Sequence, residues 1–159
     1  GLNLQLNLIG PSYAPALKKL QAAIAKYDSH SKWVNHLGAV DYQELHLIYK
    51  KAHVGIFASS CENMPNILLE MMGAGLPVLS SDRGPMPEIL GNDSIYFNPE
   101  NPRSLTVSLL ELLESEEKMN SLERAARQKV KKYSWVKCAK ESFNFINYIG
   151  QTFSRKKNF

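Results

Sequence analysis

The stretch from His53 to Ser80, HVGIFASSCENMPNILLEMMGAGLPVLS, decides the fold. It opens on the apolar run His53–Ala58, which is typical of a strand buried on both faces. A polar loop leads to Pro65, which suits the first turn of a helix because its missing N–H is no loss there. That helix ends near Gly73-Ala74-Gly75, and Pro77–Ser80 forms the next strand. The pattern predicts a βαβ unit with parallel strands.

The rest of the chain continues this alternation of apolar runs and helical periodicity. Further strands are predicted at Leu4–Ile9, Trp33–Leu37 and Ser94–Phe97. Helices are predicted at Pro15–Tyr27, Pro102–Leu113, Glu116–Lys132 and Trp135–Ile149, and another at 42–52, with Asp41 as its N-cap. Right-handed crossovers then place helices on both faces of a doubly wound, mainly parallel sheet. We therefore expect one α/β domain over residues 1–150 and a frayed basic tail over 151–159.

Composition limits the possible classes of protein. With 159 residues and 44% hydrophobic content, the chain is long enough for one domain with a substantial core. It has no run of about 18 apolar residues. Cys61 and Cys138 lie far apart, and neither they nor the four histidines show metal-ligand spacing. These features predict no metal, no disulfide framework and a reducing, cytoplasmic setting.

Charge is distributed unevenly along the chain. The net charge is +4, but residues 124–159 carry ten basic residues against the single acid Glu141, and residues 1–123 are net acidic. A basic stretch of this kind suits phosphates, an anionic membrane face or an acidic partner. A solvated helix face with a frayed terminus explains it equally well.

Two glutamates, Glu62 and Glu70, flank the predicted start of the central helix. Glu70 lies among apolar residues, so its carboxylate needs hydrogen-bond partners, and a ligand rich in hydroxyl groups would supply them. The N–H groups and the dipole of a helix start form an anion site. Glu70 lies five residues beyond Pro65, or about 7.5 Å along the axis at about 1.5 Å per residue. This layout fits a nucleotide sugar, although two glutamates at this spacing also occur by chance.

The segment from Glu62 to Glu88, ENMPNILLEMMGAGLPVLSSDRGPMPE, resembles the donor-site signature of glycosyltransferase family 4, a family of retaining enzymes with the GT-B fold. The flanking segments Asn35–Val40 and His53–Ser60 agree with the family in order and spacing. The resemblance covers about residues 4–148 and is most specific between 58 and 89. It implies that the chain is the Rossmann-like, donor-binding half of such an enzyme.

The resemblance also implies roles for individual residues. Glu62 is similar to the glutamate that contacts hydroxyls of the donor hexose near the reacting carbon, and Glu70 to the one that binds the ribose hydroxyls. The sugar and phosphates would be met by the backbone of Asn63, Met64, Pro65, Asn66 and Ile67. All of these except Pro65 would offer an N–H group, and Pro65 contributes its place in the turn. The nucleotide base would lie against Gly38, Ala39 and Val40. Glu88 matches an acid that is structural in the family.

The reaction implied is transfer of a hexosyl group, with retention, from a UDP-, GDP- or ADP-linked donor to an acceptor hydroxyl in bacterial surface glycan synthesis. The resemblance implies no metal and no cofactor besides the donor, no nucleic-acid partner, and a location in the cytoplasm or at the inner membrane face. A nucleotide-sugar 2-epimerase of similar fold and a non-catalytic, flavodoxin-like binding module are the alternatives.

Some parts of the family pattern have no match here. Leu4–Ile9 matches the second strand of the family's C-terminal half, so the first strand–helix unit, with the Arg and Lys that hold the diphosphate, is expected to be missing, as is the acceptor-binding domain. The only basic residue in the motif region that could replace them at the diphosphate is Arg83, and Arg83 is better interpreted as a solvated surface residue of a loop. We expect Leu4–Ile9 to pair directly with the Val54–Ala58 strand, or a partner chain to fill the gap, because unpaired buried backbone groups are rare. The isolated chain should bind nucleotide weakly and transfer no sugar.

Overall fold

The computed structural model describes residues 2–92 and 94–156. Strands and helices alternate along most of this length, as predicted. In chain order the elements are β1 (Leu6–Ile9), α1 (Ala14–Tyr27), β2 (Val34–Gly38), α2 (Tyr42–Lys51), β3 (Gly55–Phe57), α3 (Asn66–Ala74), β4 (Val78–Ser81), α4 (Met86–Leu90), β5 (Ile95–Phe97), α5 (Pro102–Leu113), α6 (Glu116–Val130) and α7 (Trp135–Lys156).

The strands form two parallel sheets. In one, β1 pairs with β2, and in the other β4 lies between β3 and β5. The predicted α/β class with parallel strands is confirmed, but the direct pairing of the Leu4–Ile9 strand with the Val54–Ala58 strand is wrong. Apolar periodicity identifies a segment as a strand without specifying its hydrogen-bonded neighbour. Whether a partner chain fills the gap stays a prediction.

Most element bounds lie within two or three residues of the predicted ones. The helix predicted over Pro102–Leu113 has those bounds, because Asn101 caps it through its side chain and Pro102 fixes its first turn. Two differences are larger. Met86–Leu90, for which no helix or strand was predicted, is a short helix, and the last helix continues beyond Ile149 to Lys156. The predicted frayed tail is thus helical as far as Lys156, and 157–159 lie outside the described residues.

The chain divides into two compact units, 1–48 and 49–159. In the first unit, the carboxylate of the buried Asp28 accepts N–H groups of Lys32 (2.8 Å), Trp33 (3.1 Å) and Val34 (2.8 Å), and so joins the end of α1 to the start of β2. Burial raises the pKa of this carboxyl, but the three N–H donors, with the nearby His30, bring the pKa below its ordinary value.

The core of the second unit lies around β4, whose four residues are all buried. On one side Leu79 packs with Phe97, Leu112 and Leu122, from β5, α5 and α6. Helix α3 contributes two fully buried side chains one turn apart, Leu68 and Met72, and it packs against β4 and α6. The core therefore holds α3 firmly beside the end of β4.

Helix α7 differs from the others because most of its apolar side chains are exposed. Trp135, Phe143, Ile146 and Phe153 are each more than 60% accessible to solvent. Over the residues that the structure describes, no helix combines the length and apolar character needed to cross a bilayer.

Candidate functional site

The loops that follow β3 and β4 meet at the carboxyl ends of these parallel strands, the edge where open α/β sheets bind ligands. The Ser81 hydroxyl, at the end of β4, donates to the Ser59 carbonyl (2.6 Å) in the loop after β3. Gly84, in the loop after β4, has φ +51°, and a Cβ there would lie 3.7 Å from the Glu62 carbonyl oxygen. This left-handed backbone conformation favours glycine at position 84, because glycine has no Cβ. The two loops thus lie close together beside Glu62.

The start of α3 is the second part of this edge. Pro65 is the buried N-cap residue rather than the first helical residue, and it makes no side-chain capping bond. The first bond of the helix runs from Leu69 N–H to the Pro65 carbonyl (3.2 Å), so Ile67 and Leu68 N–H have no acceptor within the helix. The first turn contains no acidic residue. These donors and the helix dipole favour an anion at this point.

The two glutamates have different surroundings. Glu62 is half-buried in the loop, and within residues 2–92 and 94–156 its carboxylate has no hydrogen bond or ion pair. Glu70 is half-buried on α3, where its Oε2 accepts the hydroxyl of Tyr49 (3.2 Å). Part of the hydrogen bonding that Glu70 needs is thus supplied by Tyr49, and the proposed contact with a ligand stays a prediction. No pattern in the sequence indicated this contact, because the two residues are 21 positions apart.

The remaining residues that we predicted for the donor site lie as follows. Asn63, Met64, Asn66 and Ile67 are exposed, from the loop into the first turn of α3. Gly38 ends β2 in the first unit, and Ala39 and Val40 link it to α2. The structure therefore brings Glu62–Ile67 and Glu70 together through one loop and one helix, and describes Gly38–Val40 within a separate unit.

Arg83 is already engaged by its neighbours. Its guanidinium lies 3.3 Å from Asp82 Oδ1 and 3.8 Å from Glu100 Oε2, and it donates to Asn98 Oδ1 (3.4 Å). These contacts agree with the surface interpretation of Arg83. Glu88 is exposed in the first turn of α4, where a negative charge suits the helix dipole.

A cleft of about 390 Å³ opens at the other edge of the second unit, near the end of α3. Its lining includes His53, Gly75, Glu123 and Arg127, and none of the predicted donor-site residues. Arg127 is held by Glu123 (3.0 Å) and donates to the Ala74 carbonyl (3.4 Å) at the end of α3. Gly75 has φ +81°, and a Cβ there would overlap Arg127. This cleft thus lies at the junction where α3 packs against α6.

Over the described ranges, no three His, Cys, Asp or Glu side chains are grouped to hold a metal ion.

Comparisons with known proteins agree with this architecture. O-antigen chain mannosyltransferase B of Escherichia coli is 24% identical over 112 residues, which are 70% of this chain and 29% of that protein. Sucrose-phosphate synthase from Thermosynechococcus elongatus superposes with a TM-score of 0.82 at 19% identity, over 93% of this chain and 39% of that one. HepE of Anabaena, solved in complex with UDP-glucose, gives 0.81 at 15% identity, over 91% and 41%.

The structural likeness identifies the fold as the Rossmann-like half of a GT-B fold. The chain spans about two fifths or less of the length of these relatives. The family model for glycosyl transferases group 1 matches residues 1–129. Because this match covers most of the sequence, the chain belongs to the glycosyl transferases group 1 family.

Proposed function

We propose that this chain is the donor-binding half of a retaining glycosyltransferase of family 4. The observation that carries the proposal is the α3 start beside Glu62, at the carboxyl end of β3. There a helix start without an acidic first turn follows Glu62, whose carboxylate has no partner among the described residues, and precedes Glu70 on the same helix. Family membership supports group transfer over the epimerase and the non-catalytic binding module as alternatives.

In this proposal the donor is a nucleotide sugar with a UDP, GDP or ADP carrier. Glu62 accepts hydroxyls of the donor hexose, the backbone of residues 63–67 meets the sugar and phosphates, and Glu70 accepts the ribose hydroxyls. Gly38, Ala39 and Val40 contact the base, a role that rests on the family resemblance alone. Solved HepE, which carries UDP-glucose, supports a donor of this class.

The proposed reaction breaks the bond between the hexose anomeric carbon and the diphosphate oxygen. It forms a bond, with retention, from that carbon to the oxygen of an acceptor hydroxyl, whose proton passes to the departing diphosphate. Charge develops on the departing diphosphate, and N–H donors oriented in advance stabilise such charge. The N–H group of Ile67, at the exposed start of α3, is suited to this task. The proposal involves no metal ion and no cofactor other than the donor.

The proposed setting is the synthesis of a bacterial surface glycan on the cytoplasmic side of the membrane. The name of the relative from Escherichia coli, an O-antigen chain mannosyltransferase, supports this setting. A glycan or lipid-linked acceptor would be bound by a further domain, since this chain covers only a minority of its relatives' length.

Calorimetric titration with UDP, GDP, ADP and their hexose conjugates tests the donor proposal. We expect saturable binding of one nucleotide class, with its sugar conjugate competing for the same site. An absence of binding by all of these ligands to the complete protein would refute the proposal.

We further propose that α7 lies on an anionic bilayer surface. Trp135, Ile146 and Phe153 are spaced by three and two helical turns and so share an exposed face. Lys137 and Lys140 lie on the opposite side, and residues 124–159 carry ten basic residues. An apolar face rich in aromatic residues with a basic polar face is typical of helices that bind at the lipid interface.

Sedimentation with phosphatidylcholine vesicles, with and without about one third phosphatidylglycerol, tests this surface. We expect pelleting with the anionic vesicles only, weakened by salt, and lost in Ile146→Glu but largely kept in Asn144→Glu, which adds the same charge on the polar face. Pelleting that is absent or equal for both vesicles would leave α7 as a solvated helix or a contact for another domain.

A further inference from the structure

The hydroxyl of Tyr49 donates a hydrogen bond to the carboxylate of Glu70. Tyr49 is near the end of α2, and Glu70 is in the middle of α3. The Tyr49 side chain is only 9% exposed, whereas Tyr13, Tyr27, Tyr42 and Tyr148 are all above 60%. A buried phenol normally directs its hydroxyl at a partner. Here that partner is the carboxylate proposed to bind ribose.

We infer that Tyr49 is a positioning residue, which fixes the Glu70 carboxylate so that it can accept the two hydroxyls of a nucleotide ribose. This inference rests on the proposed function. It adds a residue outside the donor motif to the recognition of the nucleotide.

The geometry leaves the carboxylate able to bind a ligand. An ionised carboxylate has about four acceptor positions on its two oxygens. Tyr49 occupies one position on Oε2, at 3.2 Å. Among the residues that the structure describes, no other group takes Oε1 or the second position on Oε2, and these can accept a pair of hydroxyl donors. A ribose diol donates two hydrogen bonds, and these require a carboxylate of defined rotation.

The orientation of α3 places this carboxylate on the ligand side of the helix. Side chains one turn apart share a helix face, so Glu70 lies on the side of Asn66 and Ile67, away from the buried Leu68 and Met72. Side chains on a helix also lean towards its N-terminus. Glu70 therefore projects towards the end of α3 that is proposed to meet the phosphates, and Tyr49 limits its rotation there.

The experiment compares ligands that differ only in the ribose hydroxyls. The tightest binder among UDP, GDP and ADP, and its 2′,3′-dideoxy form, are titrated into the complete protein and into Tyr49→Phe, Glu70→Gln and the double variant. Tyr96→Phe is the matched control, because it removes another hydroxyl of the same unit, one that donates to the Gly91 carbonyl (2.6 Å).

We expect Tyr49→Phe to weaken binding of the ribonucleotide by roughly 3- to 10-fold, as for loss of one hydrogen bond, and to leave the affinity for the dideoxy form unchanged. Tyr96→Phe should leave the ratio of the two affinities unchanged. In the Glu70→Gln background, Tyr49→Phe should lower the ratio less than it does alone, because the two residues act as one unit.

Other outcomes separate the inference from the proposed function. If Glu70→Gln lowers the ratio and Tyr49→Phe does not, the positioning role is overturned while the ribose site stands. If Tyr49→Phe weakens both ligands equally, Tyr49 is structural and the inference is again overturned. If Glu70→Gln leaves the ratio unchanged, or if no nucleotide binds, the proposed role of Glu70 fails and the inference fails with it.

Discussion

Glu62 and Glu70 are the same residue type, eight positions apart, with different physical surroundings. Glu62 lies in a loop close to Gly84, and the part of the chain that the structure describes gives its carboxylate no partner. Glu70 is on a helix and shares a hydrogen bond with Tyr49. These different surroundings are compatible with the different roles proposed for the two residues, contact with the donor hexose for Glu62 and with the ribose hydroxyls for Glu70.

The first prediction is that loss of each carboxylate changes a different quantity, the affinity for nucleotide in one case and the turnover in the other. Glu70→Ala should weaken nucleotide diphosphate binding by about 1.5–3 kcal/mol, because it removes a charged acceptor for the ribose hydroxyls. Glu62→Ala should mainly reduce turnover in the complete enzyme, with little loss of nucleotide affinity. Calorimetry and steady-state rates measure the two effects.

Glu88→Ala is the control for loss of a carboxylate, since Glu88 is exposed on α4. Equal nucleotide affinity in Glu70→Ala and the parent would exclude the ribose role. Unchanged turnover in Glu62→Ala would remove Glu62 from the site.

The second prediction concerns the buried Asp28. Its pKa in the folded state lies below the ordinary value of 3.8, so the ionised form stabilises the fold above about pH 4. That contribution is lost as the pH falls through the lowered folded pKa. Asp28→Asn should therefore reduce the melting temperature at pH 7, and the difference from the parent should shrink as the pH falls below 3.8. Thermal unfolding at pH 7 and pH 3 measures this.

Asp82→Asn, at an exposed loop position, provides the comparison for loss of a surface charge. A difference between Asp28→Asn and the parent that stays constant with pH would contradict the linkage.

At the scale of elements, α3 joins the core to the proposed site. Its buried face, with Leu68 and Met72, packs against β4 and α6, and its opposite face begins with the exposed Asn66 and Ile67. Gly75 ends the helix in a left-handed conformation, with its N–H bonded to the Met72 carbonyl (3.0 Å). The helix is thus fixed by one face and one end, and its N-terminal edge remains exposed.

The third prediction compares adjacent residues on α3. Leu68→Ala should lower the free energy of unfolding by about 2–5 kcal/mol, because it opens a cavity at a fully buried position. Ile67→Ala, at a position that is 51% exposed, should change it by about 0.5 kcal/mol or less. Urea unfolding followed by circular dichroism measures both, and similar losses in the two variants would contradict the packing of α3.

At the scale of the whole molecule, the chain corresponds to only part of its relatives. It covers 29% of the mannosyltransferase relative and 39% of the solved sucrose-phosphate synthase. In the motif region Arg83 is engaged with Asp82 and Glu100 and is therefore a poor clamp for a diphosphate. Donor binding by these 159 residues would rely on the α3 start and on carboxylates.

The fourth prediction follows from this limited donor site. The chain of 159 residues alone should bind nucleotide weakly and transfer no sugar from a UDP-, GDP- or ADP-hexose to an acceptor. Transfer is measured with radiolabelled donors and a glycan or lipid-linked acceptor. Sugar transfer by this chain alone would show that the catalytic residues have been assigned incorrectly.

Local sequence by itself determined the α/β class, the order of most elements and the family. Helix α5 shows why, since its cap, its first-turn proline and its apolar period lie within a few residues of one another. The short α4 was missed because five residues are too few to show a helical period. The placement of Glu62 in a loop and of Glu70 on the following helix was also predicted from local sequence, and their role as a donor site stays a prediction.

Tertiary structure alone decided which groups meet across the chain. The sequence predicted neither the bond from Tyr49 to Glu70, across 21 residues, nor the approach of Gly84 to Glu62. The separation of β1 and β2 from β3, β4 and β5 into two sheets was equally hidden. The physical reason is the same in each case: periodicity and capping act over a few neighbouring residues, whereas strand partners and long-range side-chain contacts depend on how whole elements pack.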